Sequence, residues 1–295
     1  MFINIQEKLI ETLSNDNSNN DVTKATYSTT VTKYSTPWSL GSYNEIAVHL
    51  LPVSAHLVRL CYISSTDHVL DVACGTGNTA ITAKRMTGAK KVTGIDIIPE
   101  MLVQAREQAS IAEVNNIEWK EADVENLPFE DEKFDVVLSS FGHMFAPHPQ
   151  VAIKEMLRIT KPGGRIAFST WPAELLNGKL FDIIAKYTAS SSSFSSNSPS
   201  QWGIPQVIEK RLVENSFKVR DIHFERGVIN KPVQSPNHSW MTSITKGGPM
   251  IHAIQTINDP KKIEELRQDV LKTITPYIND NVLRLDYLIT KATKI

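Results

Sequence analysis

Residues 67 to 85 are DHVLDVACGTGNTAITAKR, where a short apolar stretch ends in two closely spaced glycines and continues as a helical pattern. The apolar run in 68–73 predicts a buried strand, and Gly75 and Gly77 end it. The following residues predict a helix that begins near Gly77. Its free backbone N–H groups and the positive end of its dipole would face the carboxyl end of the strand, so the turn would attract a negatively charged or strongly polar group.

The spacing of this turn, Gly75-x-Gly77-x-x-Ala80, matches the fingerprint of dinucleotide-binding proteins, in which glycines permit a tight turn and close approach of a ligand to the backbone. On its own this fingerprint is a weak signal. The ligand therefore has to be inferred from the rest of the chain.

The composition is that of a globular protein that binds small molecules. The chain has 295 residues, 41% of them apolar, which is enough to build a sizeable core. It carries 31 basic and 32 acidic residues and no polybasic tail, so we expect no nucleic-acid partner. We expect a small-molecule substrate and a monomer or a homodimer.

The chain lacks the sequence features of a membrane or secreted protein. The most apolar early stretch, 46–63, is interrupted by His49, Pro52, His56 and Arg59, so no membrane span is predicted, and the first residues do not resemble a signal peptide. The two cysteines are too few for a disulfide framework or a metal centre. We therefore expect a cytoplasmic protein without a bound metal.

Strand and helix patterns alternate through the first two thirds of the chain, which predicts an α/β fold with a parallel sheet covered by helices on both faces. Polar low-complexity runs at 14–20 and 190–200 predict flexible segments. The predicted organisation is a flexible tail (1–24), an N-terminal helical cap (25–64), a core (65–190), a flexible linker (191–204) and a C-terminal part (205–295) that completes the sheet and carries an inserted cap at about 233–280.

Three acidic residues stand at or near the ends of predicted strands. Asp71 belongs to the first strand, Asp96 ends the second 25 residues later, and Asp123 follows the third. In an open parallel sheet, ligands bind beyond the carboxyl ends of the strands. A carboxylate at the position of Asp96 can accept hydrogen bonds from both hydroxyls of a ribose, so the residues predict a cofactor with an unphosphorylated ribose.

Four motifs together carry a resemblance to a known family: LDVACGTG, VTGIDIIPEML, EADVENLPFEDEKFDVVLSSFG and EMLRITKPGGR. In this order, over roughly residues 65–172, the chain resembles class I S-adenosylmethionine-dependent methyltransferases, particularly the ubiquinone and menaquinone biosynthesis group. The resemblance implies a Rossmann-like, doubly wound sheet of seven strands whose last strand is antiparallel, with helical cap elements. Ala73 departs from the pattern, because the family often has glycine there, and the chain after 172 matches only loosely.

The resemblance implies S-adenosylmethionine as the cofactor and S-adenosylhomocysteine as its product. The implied contacts are to the methionine moiety (Asp71, Ala73, Gly75, Gly77), the ribose (Asp96), the adenine (Ile97, Met101, Asp123, Val124) and the methyl-donor end (Ser140, Phe141). Two of these residues have simpler interpretations. Asp96 is also suited to capping the helix that begins at Pro99, and Met101 is also suited to the core.

The acceptor site is less defined by the sequence. His143 follows the fourth strand and is suited to act as a general base, although a histidine that only lines this loop is the simpler interpretation. Aromatic residues from several segments are candidate acceptor contacts: Tyr34, Trp38, Tyr43, Phe141, Trp171 and Trp240. Glycines 247 and 248 next to apolar residues suit a lid, and a packing helix is the alternative.

Two other functions share part of the pattern. A nicotinamide-dependent oxidoreductase would have the glycine turn and the ribose acid, but an acid four residues before the first glycine and the segment KPGGR disfavour it. A module that binds S-adenosylmethionine without turnover is compatible with the same sequence. The fourth strand ends in SSFG and lacks the motif of amino-methylating DNA enzymes, so a metabolite is the expected acceptor.

Overall fold

The computed structural model describes residues 37–188 and 198–295 of the chain. Within these residues, one sheet contains every strand. The strands are β1 (His68–Val72), β2 (Lys91–Asp96), β3 (Ile117–Glu121), β4 (Phe134–Ser140), β5 (Thr160–Thr170), β6 (Val219–Pro232), β7 (Ile278–Asn279) and β8 (Val282–Lys294).

The strand order is β3-β2-β1-β4-β5-β8-β6, and the short β7 pairs with β8 outside this path. Strands β1 to β5 are parallel, whereas β8 runs antiparallel between β5 and β6. The order reverses between β1 and β4, which places a ligand crevice at the carboxyl ends of these strands. This topology confirms the predicted doubly wound α/β fold with an antiparallel last strand; β7 is an addition to the seven strands expected.

The central strands are buried on both faces, as their continuous apolar sequences require. Val69, Leu70 and Val72 of β1 and Val136 to Leu138 of β4 have no exposed surface. The core cluster continues through β5 and β8 to the indole of Trp202. The carboxyl ends of the central strands are therefore held by a rigid core, which favours a precise binding site there.

Ten α-helices are present in the described part of the chain. Five of them begin at a proline. Proline suits the first helical turn because it has no N–H group, and N–H groups at this position have no partner within the helix. The helices are α1 (Tyr43–Ala47), α2 (Leu51–Leu60), α3 (Asn78–Thr87), α4 (Pro99–Ile111), α5 (Pro149–Arg158), α6 (Leu176–Thr188), α7 (Pro205–Val213), α8 (Pro236–Lys246), α9 (Gly248–Ile257) and α10 (Pro260–Ile274).

The segment between β6 and β7, where the sequence predicts an inserted cap, consists of three helices. Gly247 separates α8 from α9, and Asn258, at a φ of 42°, ends α9 in the left-handed conformation. Helix α9 packs against α6 and against the 3-10 turn Pro37–Ser39, while α8 contacts α1. The inserted helices therefore contact both α6 and the N-terminal segment.

Two local expectations differ from the structure. The proline and glycines of KPGGR predict a stop before a strand at 164–170, but this segment lies inside β5, which begins at Thr160. The pairing of β5 with β4 shifts between Phe134 and Val136. The end of the predicted linker is packed: residues Pro199–Gly203 form a 3-10 turn, and Trp202 is fully buried. Its indole is too large and apolar to remain in solvent when a core is adjacent.

Several predicted features lie outside the described residues: the N-terminal tail, Tyr34 and most of the polar run at 190–200. Across residues 37–188 and 198–295, no helix combines the length and the apolar character needed to cross a membrane.

Candidate active site

The turn between β1 and α3 has the backbone conformation that its glycines predict. Gly75 and Gly77 have φ values of 52° and 84°, in the left-handed region that glycine adopts without steric cost. Gly77 immediately precedes the first residue of α3. The free N–H groups of this first turn therefore lie at the carboxyl edge of the sheet.

Asp96 connects this turn to the end of β2. Its side chain is 6% exposed, and its Oδ2 accepts a hydrogen bond of 2.8 Å from the Gly75 N–H. Its Oδ1 accepts a hydrogen bond of 3.0 Å from the Ile98 N–H, next to the start of α4. Burial raises the pKa of this carboxyl group, while both backbone hydrogen bonds lower it. Each carboxylate oxygen keeps a lone pair for a ribose hydroxyl.

Asp71 lies beneath the same turn and holds the start of α3. Its Oδ2 accepts a 2.9 Å hydrogen bond from the Ala80 N–H, whereas its buried Oδ1 has no hydrogen-bond partner among the described residues. Burial, with a further contribution from Asp96, raises the pKa of Asp71 to about 8 despite the Ala80 N–H, which lowers it. A cationic ligand group beside Oδ1 would satisfy this oxygen and stabilise its charge.

The residues expected around the adenine lie at two neighbouring strand ends. The register of β2 and β3 pairs Asp96 with Glu121, which brings the segments that follow these strands side by side. Met101 is buried, and Ile97 and Val124 are half-buried. Asp123 is exposed, and its Oδ1 accepts a 2.8 Å hydrogen bond from the Glu125 N–H.

The ends of β4 and β5 carry two hydroxyls and a stacked aromatic pair. The Ser140 and Ser169 Oγ atoms lie 3.1 Å apart. The Phe141 ring stacks on Trp171 with a centroid distance of 3.9 Å and an interplanar angle of 11°. Phe141 has a φ of 60°, a conformation that is uncommon for residues other than glycine and that concentrates at functional sites.

A group of four aromatic residues, here called the aromatic cluster, joins three segments of the chain. Trp38 contacts Tyr43 at 5.8 Å and Phe145 at 4.7 Å between ring centroids, and Phe145 contacts Phe181 at 5.7 Å. Trp38 and Tyr43 were predicted from the sequence, whereas Phe145 and Phe181 were missed. Phe181 lies in α6, and nothing in its local sequence distinguishes it from a core residue.

Tyr43 also reaches the glycine turn. Its Cε1 atom lies 3.5 Å from the point where a Cβ atom on Gly75 would stand. Burial, with a smaller contribution from Asp96, raises the pKa of Tyr43 to about 12, so its phenol remains protonated at neutral pH. Tyr43 is therefore the member of the aromatic cluster that reaches the glycine turn. Trp240 is instead buried in α8, and its expected contact with the acceptor stays a prediction.

The structure does not bring His143 to the carboxyl edge as an accessible base. The residue is fully buried, and its ring packs between Phe168 at 4.5 Å and Trp202 at 4.6 Å. Burial, with a further contribution from Arg211, lowers the pKa of His143 to about 3. These contacts favour the simpler of the two interpretations, a histidine that packs beneath the loop, over a general base.

Together, these features suit S-adenosylmethionine. The orphaned Oδ1 of Asp71 is suited to the ammonium group of a methionine moiety, and the Asp96 carboxylate is suited to ribose hydroxyls. Because Gly75 has no side chain, its backbone is uncovered on the side that faces the ring of Tyr43, and a ligand can approach it there. When bound, the cofactor supplies an electrophilic methyl group on a sulfonium.

Comparisons with known proteins show to which family the chain is similar. A profile of the family described as "Methyltransferase domain" matches residues 69–164. The chain is 34% identical over 262 residues to the uncharacterized protein Rv1403c of Mycobacterium tuberculosis, covering 87% of this chain and 92% of that protein. It is 41% identical over 110 residues to the ubiquinone/menaquinone biosynthesis C-methyltransferase UbiE of Bdellovibrio bacteriovorus, covering 37% of this chain and 46% of UbiE.

The fold is similar to that of a putative methyltransferase from Bacillus halodurans. The two structures superpose with a TM-score of 0.53 at 21% identity, covering 81% of this chain and 97% of the other. The sequence comparisons and this shared fold confirm the family that the four sequence motifs resemble. The chain belongs to the same family as Rv1403c, and it is a class I S-adenosylmethionine-dependent methyltransferase.

Proposed function

We propose that the protein transfers a methyl group from S-adenosylmethionine to a flat, apolar small molecule that binds against the aromatic cluster. The observation that carries this proposal is the position of Phe145 and Phe181, which follow β4 and β5: Phe145 contacts Trp38 from the N-terminal segment, and Phe181 contacts Phe145. Aromatic side chains recognise flat rings through stacking and edge contacts. A quinone-like ring has this shape.

The inserted helices support an enclosed acceptor site. Helix α9 packs against the 3-10 turn that contains Trp38 and against α6, which contains Phe181. Water would be excluded from a ligand held between these elements and the sheet edge. Exclusion of water favours methyl transfer because it prevents competing solvation of the nucleophile and the sulfonium.

The reaction is an in-line displacement in which the acceptor atom forms a bond to the methyl carbon while the bond from this carbon to sulfur breaks. S-adenosylhomocysteine leaves with the electron pair on sulfur. The contribution of the protein is alignment: the glycine turn and Asp96 hold the donor, and the aromatic cluster holds the acceptor. Ser140 and Ser169 offer hydroxyls that can orient a polar group of the acceptor.

A buried histidine with a pKa near 3 is a poor base at neutral pH. The proposal therefore favours an acceptor whose nucleophilic atom is already deprotonated or loses its proton to solvent. A phenol or a hydroquinone with a lowered pKa, including one that reacts at ring carbon, fits this requirement.

Acceptors other than small molecules have less support. The net charge of −1 and the lack of a polybasic run in the sequence do not favour nucleic acid, so we propose a metabolite substrate. A monomeric or homodimeric assembly remains the prediction, and light scattering of the purified protein measures it.

The test is a panel of acceptors assayed by mass spectrometry for the methylated product and for S-adenosylhomocysteine. The panel contains hydroquinones and phenols, aliphatic amines, a peptide and an RNA. Product from the flat aromatic acceptors alone would support the proposal. Methylation of the amines or of RNA alone would contradict it. Tight cofactor binding with no product from any acceptor would favour the non-catalytic module.

A further inference from the structure

The indole ring of Trp119 packs against two glycines, Gly94 in β2 and Gly77 in the glycine turn. Trp119 stands opposite Gly94 in the register of β3 and β2. A Cβ atom on Gly94 would lie 2.5 Å from the Trp119 Cζ3 atom, and a Cβ atom on Gly77 would lie 2.7 Å from its Cη2 atom. The six-membered ring of the indole therefore spans from the middle of β2 to the glycine turn, in space that only glycine leaves free.

The slot that holds this ring is formed by small residues from three elements. A Cβ atom on Gly77 would lie 3.1 Å from the Ala105 Cβ of α4, and a Cβ atom on Gly94 would lie 3.2 Å from the Cys74 Sγ. The indole thus contacts the end of the turn where α3 begins and lies between that turn and α4. Trp119 is itself only half-buried, because β3 is the last strand on this edge of the sheet.

We propose that Trp119 is a positioning residue for the methyl donor. Its ring supports Gly77 from behind and keeps the turn in the left-handed conformation that directs the backbone N–H groups toward the cofactor. Trp119 touches no reacting atom, and it acts through Gly77. Displacement of a binding turn by a fraction of an ångström is costly because hydrogen bonds and near-attack geometry depend steeply on distance.

A residue that merely fills space would have a different signature. Its loss would lower the stability of the fold and leave the cofactor affinity of the folded protein unchanged. A positioning residue affects the affinity and KM for the donor more than it affects kcat at saturating donor. The two roles are therefore separable by measuring binding well below the unfolding temperature.

The first experiment compares Trp119→Leu and Trp119→Phe by calorimetric titration with S-adenosylhomocysteine. We expect Kd to rise about tenfold for Trp119→Leu, and less for Trp119→Phe, whose ring is shorter than the indole and reaches Gly94 better than Gly77. Phe129→Leu is the matched control. Phe129 packs on Phe134 at 5.0 Å and contacts β3 through Lys120, without lining the slot. Its replacement should lower stability and leave Kd within about twofold.

A second experiment uses Gly94→Ala alone and together with Trp119→Leu. The new methyl group displaces the indole in the single variant, so both stability and affinity should fall. Removal of the ring in the double variant relieves this clash, so stability should recover while affinity stays low. Recovery of both quantities would overturn the proposal, because Gly77 would then not need its support.

Wild-type protein that fails to bind S-adenosylhomocysteine would refute the cofactor assignment on which this inference rests. Binding by wild type with a Kd for Trp119→Leu within twofold of it would refute the inference alone. Should Trp119→Leu fail to fold, Trp119→Phe decides: a Kd raised about threefold supports the proposal, and an unchanged Kd overturns it.

Discussion

The proposed donor half of the site and the proposed acceptor half are built in different ways. The donor half consists of backbone turns and carboxylates at the ends of β1 and β2, and its parts lie within 30 residues of one another. The acceptor half consists of aromatic side chains from the N-terminal segment, the loop after β4 and α6, which span more than 140 residues. Local motifs specify the first half, whereas tertiary packing specifies the second.

If the two halves act separately, variants of the proposed donor half should act on cofactor binding, and variants of the proposed acceptor half should act on acceptor binding alone. The following predictions test this separation in order of decreasing effect.

Asp71→Asn should weaken cofactor binding and stabilise the free protein. Asparagine still accepts the Ala80 N–H bond but lacks the charge for the cofactor ammonium, so we expect Kd for S-adenosylhomocysteine to rise about 30-fold. The folded-state pKa of about 8 lies above the ordinary aspartate pKa of 3.8. The folded wild type therefore retains a proton that the unfolded chain has lost, and its stability falls as pH rises from 4 to 8.

Calorimetry and urea unfolding at pH 5 and pH 8 measure both effects. The stability of Asp71→Asn relative to wild type should be greater at pH 8 than at pH 5. An unchanged Kd would remove Asp71 from the donor half.

His143→Leu should make the fold less sensitive to acid. The pKa of about 3 in the folded state lies below the ordinary histidine pKa of 6.5. The unfolded chain therefore takes up the proton first, and the wild type should lose about 2 kcal/mol more than the variant between pH 7 and pH 5. Exposed His252, replaced by Gln, is the matched control. Equal acid sensitivity of His143→Leu and wild type, combined with abolished turnover, would restore the role of a general base.

Phe145→Leu and Phe181→Leu should each raise KM for the acceptor about tenfold, or about 1.4 kcal/mol, because each removes an aromatic contact from the cluster. The Kd for S-adenosylhomocysteine should stay within about twofold. Steady-state kinetics and calorimetry measure the two constants. Phe217→Leu, at a ring that Lys294 covers at 4.6 Å, is the control. Equal losses of both constants would mean that the two halves are coupled.

Ala73→Gly should stabilise the protein slightly. Ala73 has a φ of 51°, which glycine adopts without strain, so we expect the free energy of unfolding to rise by about 0.5 kcal/mol after the entropy of the more flexible unfolded chain is included. Urea unfolding measures this change, and Ala109→Gly inside α4 should instead cost about 1 kcal/mol. A loss of stability at position 73 would show that its methyl group packs favourably.

The sequence predicted the donor half because each of its features has a local signature. The glycine turn, Asp96 and the alternation of strands and helices are visible in 67–121, and the structure places them as expected. The sequence did not predict Phe145, Phe181 or Trp119, since these side chains acquire their roles from distant partners. For His143 the sequence left two roles open for the same reason: only the folded chain shows Trp202 on its ring.

The most direct test is calorimetric titration of wild type and Asp96→Ala with S-adenosylhomocysteine, with NAD as the comparison ligand. Because Asp96 also accepts two backbone hydrogen bonds, circular dichroism must first show that the variant is folded. The wild type should bind S-adenosylhomocysteine with a Kd on the order of micromolar and the variant at least about 100-fold more weakly, while neither binds NAD measurably. Tighter binding of NAD, or equal binding of S-adenosylhomocysteine by both proteins, would contradict the assignment of the glycine turn and Asp96 as a methyl-donor site.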